Sequence, residues 1–232
     1  MLTMQELWPN PTTHVDIAAR LAADSRPKPV GRPWVTLVMI TSIDGAIAVD
    51  GVSGGLGTPS DHRRFVAARR QADAIIVGAS TVRIEDYQPA TVPIAVISGS
   101  LSPDPTARLF GDPNNQPILY TTDQAAGTRG ADFDGVAEVI SLGDSVDPAR
   151  VLADLDNRGM QAVVLEGGPT LNSHFLRADL VDEMLISYSP LVAGGTGSRL
   201  TNGGPMPDER RFTVDRVLLA DDLLFARYLR VR

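Results

Sequence analysis

The sequence predicts an α/β protein with one mixed, mostly parallel central sheet, helices on both faces and an antiparallel edge formed by the C-terminal strands. Short apolar runs alternate with helical patterns of roughly ten to twelve residues, an order typical of parallel sheets covered by helices. The last apolar runs follow one another without a helix between them, which predicts antiparallel pairing at one edge. Of the 232 residues, 43% are hydrophobic and 21% charged, a composition typical of globular domains.

The first 33 residues are predicted to form an arm with one helix. Thr13 is the expected N-cap of this helix, and Asp16, three positions later, completes a capping box. The prolines of the segment 26–33 end the arm, because proline cannot continue a helix. Residues 34–232 are predicted to form a single domain, since no low-complexity linker or internal repeat divides them.

Apolar, β-rich runs predict seven strands between residues 34 and 189. In chain order they are Trp34–Ile40, Ala74–Val77, Ile94–Ile97, Pro117–Tyr120, Val136–Ser141, Gln161–Leu165 and Met184–Ser189. Residues 211–232 are predicted to form a terminal hairpin that turns around Ala220-Asp221-Asp222.

Capping signals and apolar periodicity predict the helices between these strands. Thr58 as N-cap and Pro59 at the first helical position open a helix that ends near residue 71. Three further helices are predicted to follow the segments 78–81, 147–148 and 167–169.

Composition excludes several classes of function. The net charge of −7 argues against general affinity for nucleic acid or an anionic membrane surface. The absence of cysteine excludes disulfides, thiolate nucleophiles and thiolate metal sites, and three histidines without HExxH spacing predict no metal site. Lys28 is the single lysine and lies in a proline-rich stretch, which makes lysine-based catalysis an unfavourable interpretation. No run approaches the ~18 apolar residues of a membrane span, so we expect a cytoplasmic protein.

Two glycine-containing turns are candidate anion sites. Residues 165–172 (LEGGPTLN) place a carboxylate at the end of a strand and follow it with two glycines and a helix start. Residues 78–81 (GAST) also connect a buried strand to a helix. Free N–H groups at a helix start suit a phosphate, and two such turns at one edge of a sheet would clamp a pyrophosphate, as in a dinucleotide. Glycine required for turn geometry alone is the alternative. The GxGxxG and GxxxxGK[ST] motifs are absent.

A serine hydrolase is a rival interpretation. Residues 51–55 (GVSGG) match the GxSxG nucleophile motif, which would recruit Ser53, Asp132 or Asp134, and His174. The motif requires its serine at the turn from strand to helix, whereas here further residues intervene before the helix opens at Thr58.

Arg69 is a candidate phosphate ligand. It lies one helical turn after Phe65, so we expect it near the edge of the buried face, where it can bind a phosphate with two N–H groups. An ordinary surface arginine is the alternative.

Taken together, five motifs resemble the pyrimidine reductase family of riboflavin biosynthesis, whose fold is like that of dihydrofolate reductase. The motifs are Thr41-Ser42-Ile43-Asp44-Gly45, Asp50-Gly51-Val52-Ser53-Gly54, Ala72–Val82, Glu166–Leu171 and Leu180-Val181-Asp182-Glu183. The resemblance covers residues 33–232. It implies a homodimer and the reduction of 5-amino-6-(5-phosphoribosylamino)uracil, or its diaminopyrimidinone analogue, by hydride transfer from NADPH to C1′.

The resemblance also implies roles for individual residues. The cofactor NADPH would be bound by Gly55, Gly78, Thr81, Glu85, Ser98, Gly167, Gly168, Pro169, Thr170, Leu171 and Asn172. Ser53, Arg69 and Glu166 would bind the phosphorylated pyrimidine. Glu166 and Asp44 are the candidate catalytic residues, Glu166 beside the substrate and Asp44 at the turn after the first strand.

The chain departs from the family pattern on the substrate side. Val38 stands where many members have a lysine, and no arginine follows residues 85–89 at the place where members carry one. Two alternatives therefore stay open: a reductase of dihydrofolate or another pterin, and a non-catalytic NADP-binding protein.

Overall fold

The computed structural model describes residues 4–232, which form one sheet of eleven strands with six α-helices. The strands are β1 (Met4–Trp8), β2 (Thr12–Val15), β3 (Trp34–Ser42), β4 (Ala74–Gly78), β5 (Ile94–Ile97), β6 (Ile118–Thr121), β7 (Glu138–Ser141), β8 (Ala162–Leu165), β9 (Glu183–Ser189), β10 (Phe212–Ala220) and β11 (Leu223–Arg230). The helices are α1 (Ile17–Ala22), α2 (Pro59–Arg69), α3 (Ala79–Ile84), α4 (Asp123–Arg129), α5 (Pro148–Asn157) and α6 (Pro169–Arg177).

The sheet is mixed and mostly parallel, as predicted. Its strand order is β2-β1-β10-β11-β9-β3-β8-β4-β5-β6-β7. Neighbouring strands from β9 to β7 pair in parallel, whereas β9, β11, β10, β1 and β2 pair antiparallel. The predicted C-terminal hairpin is β10 and β11, and it forms the antiparallel part together with two N-terminal strands.

These two N-terminal strands were not predicted. The expectation of one helix is correct for α1, but β1 and β2 precede it and β1 pairs with β10. The predicted cap was wrong, because Thr13 lies within β2 and the Asp16 carboxylate accepts the first helical N–H groups, from Ala18 and Ala19. Helix α4 was also missed. The division into an arm and one domain stays a prediction.

Helices cover both faces of the sheet, because strand side chains point alternately to each side. On one face, buried residues of α5 and α6 pack against Ala74 and Ile76. On the other face, Ile75 and Val77 pack with α3 and α4, and a neighbouring cluster joins α1 and α2 to β9 and β11. Within residues 4–232, no helix has the length and apolar character that crossing a bilayer requires.

Strand β8 lies between β3 and β4, and all three run in the same direction. Their carboxyl ends therefore lie side by side at one end of the strands, which is where open α/β sheets bind ligands. Glu166 directly follows β8, and residues 78–81 (GAST) join the last residue of β4 to the start of α3, so the sheet brings the two predicted glycine turns together.

A buried cluster of charged side chains lies at the opposite end of the sheet, where the parallel strands begin. Glu183, at the start of β9, accepts hydrogen bonds from Arg26 at 2.8 and 3.1 Å and from Arg227 at 2.7 Å. The Trp34 indole N–H and the Thr36 hydroxyl each donate to Glu183 at 3.1 Å. Burial opposes ionisation of Glu183, but the two guanidinium groups outweigh burial and lower its pKa. The cluster ties the segment before β3 to the antiparallel strands.

We predict that Glu183→Gln lowers the free energy of unfolding by about 3 kcal/mol at neutral pH, because two buried guanidinium groups lose one of the carboxylates that pair with them. Glu138→Gln is the control, since Glu138 pairs with Arg158 while 52% exposed, and we expect a loss of about 1 kcal/mol or less. Urea unfolding monitored by circular dichroism measures both.

The pH dependence of this difference follows from the lowered pKa. The contribution of Glu183 is complete above its unfolded pKa of about 4.5 and is lost as the pH falls through the lower folded value. The gap between wild type and Glu183→Gln therefore shrinks below about pH 4.5. A gap independent of pH would contradict this assignment.

Candidate active site

A cavity of about 960 Å³ opens at the carboxyl edge of the parallel strands. Val38, Met39 and Ile40 of β3 line it, and α2 and the segment 84–89 form further walls. Seven of the predicted site residues line it: Ser53, Arg69, Thr81, Glu85, Glu166, Gly168 and Pro169. The structure therefore brings the predicted substrate residues and part of the predicted cofactor set into one space.

The Glu166 carboxylate and the Arg69 guanidinium form a two-point ion pair inside this cavity. Arg69 Nε and Nη2 each donate to a different Glu166 oxygen, both at 2.7 Å. The guanidinium also lies 4.3 Å from the centroid of the Phe65 ring. Burial opposes the charge of Arg69, but the hydrogen bonds and charge of Glu166 outweigh burial and raise the Arg69 pKa. Arg69 lies at the edge of the buried face, as predicted.

The local sequence of α2 explains why Arg69 reaches this position. The Thr58 hydroxyl caps the helix by accepting the Asp61 N–H at 3.3 Å, and Pro59 follows at the first helical position, as predicted. Arg69 is the last residue of α2 and lies in its final turn, where a cation is also favoured by the helix dipole.

Tyr87 is a further partner of the Glu166 carboxylate. It was not predicted as a site residue. Its hydroxyl donates to Glu166 Oε2 at 2.6 Å. Burial raises the Tyr87 pKa well above its usual value, and the negative charge of Glu166 raises it further. The only sequence signal for Tyr87 is an aromatic residue inside the polar segment 85–89, which follows α3.

The two glycine turns are in direct contact. The Gly78 N–H donates to the Gly167 carbonyl at 2.7 Å. Gly167 has φ +84°, which favours glycine, and the Gly167–Gly168 peptide is cis. A Cβ on Gly168 would lie 2.9 Å from Thr81 Oγ1, so a side chain there would require the Thr81 side chain to move. Together the turns form a surface of backbone beside the Glu166 carboxylate.

Glu85 and Ser53 are connected in the structure. The Ser53 N–H donates to Glu85 Oε1 at 2.9 Å, which attaches the loop before α2 to the end of α3. Both residues line the cavity. The predicted cofactor residue Glu85 therefore also positions the predicted substrate residue Ser53.

Asp44 does not line the cavity. Its carboxylate accepts hydrogen bonds from the Ser42 hydroxyl at 2.5 Å and from the N–H groups of Ala193 and Gly194 at 3.1 and 2.7 Å. These bonds, that from Ser42 first, lower the Asp44 pKa to about 2. The geometry gives Asp44 the role of joining the turn after β3 to the segment after β9, and its catalytic role stays a prediction without geometric support.

Other predicted cofactor residues lie outside the cavity lining. The buried Ser98 hydroxyl accepts the Ser102 N–H at 2.9 Å, and the buried Asn172 amide donates to the Leu200 carbonyl at 2.9 Å. A Cβ on Gly55 would lie 3.1 Å from Val49. Leu171 packs in the core and Thr170 is exposed at the start of α6. Cofactor contacts by these residues stay predictions.

The hydrolase interpretation finds no triad in this geometry. Ser53 lines the cavity, whereas His174 is exposed on α6 and outside the cavity lining. Asp132 pairs with Arg129 at 3.0 Å. The structure therefore does not bring Ser53, Asp132 and His174 together as a catalytic triad.

Comparison with known proteins decides the family. The sequence model of the RibD C-terminal domain matches residues 33–221. This chain belongs to the RibD C-terminal domain family. It is 31% identical over 188 residues to the 2,5-diamino-6-ribosylamino-4(3H)-pyrimidinone 5′-phosphate reductase of Methanothermobacter thermautotrophicus, a match that covers 77% of this chain and 87% of the relative.

Solved structures agree with this family and with the predicted fold. A pyrimidine reductase-like protein from Corynebacterium diphtheriae superposes with a TM-score of 0.81 at 26% identity, covering 94% of this chain and 100% of that one. Dihydrofolate reductase from Enterococcus faecalis has a TM-score of 0.50 at 12% identity and covers 86% and 97% of the two chains. The RibD C-terminal domain thus shares the dihydrofolate reductase-like fold that the motifs implied.

We predict that Arg69→Leu destabilises the domain by about 2 kcal/mol, because the buried Glu166 carboxylate loses its cation. Arg70→Leu is the matched control, since Arg70 is exposed at the end of the same helix. Thermal and urea unfolding compare the two variants. Equal stability of Arg69→Leu and Arg70→Leu would show that the ion pair does not stabilise the fold.

Proposed function

We propose that this chain is a pyrimidine reductase of riboflavin biosynthesis. It uses NADPH to reduce 5-amino-6-(5-phosphoribosylamino)uracil, or the diaminopyrimidinone analogue, to the ribitylamino product. Family membership and the relative named as a 2,5-diamino-6-ribosylamino-4(3H)-pyrimidinone 5′-phosphate reductase support the proposal. The observation that carries it is the single cavity in which the Glu166–Arg69 ion pair adjoins the two contacting glycine turns.

The residues of the two turns fit a pyrophosphate. The two turns form a backbone cradle in which Thr81 Oγ1 lies 2.9 Å from the position of a Cβ on Gly168, so a side chain at Gly168 would displace the Thr81 hydroxyl. The Thr81 hydroxyl and the N–H groups that begin α6 can donate to phosphate oxygens. When bound there, NADPH supplies the hydride for the reduction.

Arg69, Glu166 and Ser53 would hold the substrate. Glu166 is 6% exposed and accepts from Arg69 and Tyr87, so its charge orients both side chains toward the cavity. Arg69 is the one arginine or lysine among the described residues that line the cavity. Because Val38 replaces the family's lysine, Arg69 carries most of the attraction for the substrate phosphate.

The decisive experiment is turnover of NADPH with three candidate acceptors. We expect NADPH absorbance to fall with the phosphoribosylaminopyrimidines and to stay constant with dihydrofolate. Oxidation with dihydrofolate alone would favour the pterin reductase alternative. Binding of NADPH without turnover of any acceptor would favour the non-catalytic alternative, and absence of binding would reject both reductase interpretations.

We predict that Gly168→Ala raises the dissociation constant for NADPH by about tenfold, or about 1.4 kcal/mol, because the added Cβ displaces Thr81 and fills the cradle. Gly130→Ala is the control, since a Cβ at Gly130 meets nothing within 4 Å. Fluorescence titration with NADPH compares the variants after thermal unfolding has shown that both are folded. An unchanged affinity in Gly168→Ala would place the pyrophosphate elsewhere.

The homodimer and the cytoplasmic location also remain predictions, drawn from the family resemblance and the composition.

A further inference from the structure

Asp61 lines the cavity, and its carboxyl group is half-buried. It belongs neither to the proposed substrate residues nor to the proposed cofactor residues. It lies in the first turn of α2 and lines the cavity together with Gly57. One oxygen, Oδ2, would lie 3.3 Å from a Cβ on Gly57, so it approaches the segment that borders the cavity. The carboxyl group is therefore accessible from the space that holds the proposed substrate.

The other oxygen of Asp61 accepts a hydrogen bond from a side chain of the sheet. The Ser187 hydroxyl donates to Asp61 Oδ1 at 2.5 Å and accepts from Arg64 Nη1 at 2.9 Å. Arg64 is 3% exposed and donates with Nη2 to the Ala226 carbonyl at 2.9 Å. The chain of hydrogen bonds fixes the Asp61 side chain without giving it a direct guanidinium partner.

The strand register places Asp61 and Glu166 on two sides of the cavity floor. Ser187 of β9 pairs with Ile40 of β3, and Leu165, the residue before Glu166, pairs with Leu37 on the other side of β3. The floor between the two carboxyl groups is formed by residues 38–40 of β3. A substrate on this floor would lie between them.

Two of the other three acids that line the cavity, Glu166 and Asp86, have direct arginine partners. Glu166 accepts from Arg69 with both oxygens and from Tyr87, so a proton on Glu166 would displace a strong hydrogen bond. Glu85 accepts the Ser53 N–H, and Asp86 pairs with Arg108 at 2.7 Å on the exposed rim. Among the described residues that line the cavity, Asp61 and Glu85 are the acids without a direct arginine partner, and Asp61 is the one held against the sheet through Ser187.

We propose that Asp61 is the acid that delivers a proton to the substrate during the reduction. The inference rests on the proposed function. In that reaction the C1′–O4′ bond of the ribosylamine breaks with its electron pair left on O4′, C1′ gains the hydride of the reduced nicotinamide, and O4′ gains a proton. The Asp61 carboxyl group donates this proton, and the resulting carboxylate takes another from water at the cavity mouth.

The charges around Asp61 agree with this role. Burial raises the Asp61 pKa, and the Ser187 hydrogen bond and the charges of Arg64 and His62 oppose this rise only in part. The sheet beneath α2 presents Arg216, Glu183 and Tyr188 to Arg64. A general acid must be protonated to act, so kcat should fall as the pH rises through the Asp61 pKa.

Asp61→Asn tests the assignment, because asparagine retains the shape and can accept the Ser187 hydrogen bond. We expect kcat to fall by about 10²- to 10⁴-fold with little change in NADPH affinity, and the falling limb of the pH profile to disappear. Asp144→Asn, at an exposed position on the loop before α5, is the control with wild-type kcat. Retention of wild-type kcat by Asp61→Asn would overturn the proposal.

A titration without substrate separates this proposal from the proposed function. In protein labelled with ¹³C at aspartate carboxyl groups, we expect one signal to titrate above the usual aspartate pKa of about 3.9 and to be absent from Asp61→Asn. If the wild type turns over no acceptor, the proposed function fails, and this titration still decides. A raised pKa supports Asp61 as the acid of the cavity, and an ordinary or lowered pKa overturns it.

Discussion

The position of the active site depends on one buried carboxylate, that of Glu166. It follows a central parallel strand and is 6% exposed, so it requires a compensating charge. Arg69 supplies this charge from the last turn of α2, and Tyr87 donates from the segment after α3. The need to compensate the charge of Glu166 therefore brings together helix α2 and the segment after α3 at the carboxyl ends of the strands. Both lie far from Glu166 in the sequence.

The two edges of the parallel sheet use buried charge for different purposes. At the edge opposite the cavity, Glu183 is enclosed by arginines and by polar groups of β3, and the cluster joins separate parts of the chain. At the cavity edge, Glu166 has a comparable pairing but borders open space, so the same chemistry is available to a ligand. The hydrogen-bonded residues Asp61, Ser187 and Arg64 share a feature with each of these two sites. Arg64 and Ser187 are buried like the Glu183 cluster, whereas Asp61 lines the cavity as Glu166 does.

Sequence reasoning predicted those features whose signals are local. The cap at Thr58, the proline at the start of α2 and the apolar runs of the parallel strands each report on neighbouring residues, and the structure confirms them. The contact between the glycine turns was also predictable, since both follow parallel strands of one sheet. Strand β1 was missed because one of its two partner strands, β10, lies more than 200 residues away in the sequence. Tyr87 and Ser187 were missed for the same reason, because their partners lie far along the chain.

Hydride transfer to C1′ of a phosphoribosylaminopyrimidine is the reaction that we propose for this cavity. The most direct measurement is mass spectrometry of the product formed with NADPH that carries two deuterium atoms at C4 of the nicotinamide. We expect a ribitylamino product that contains one deuterium, located at C1′. A product without deuterium, or with the label at another carbon, would contradict it.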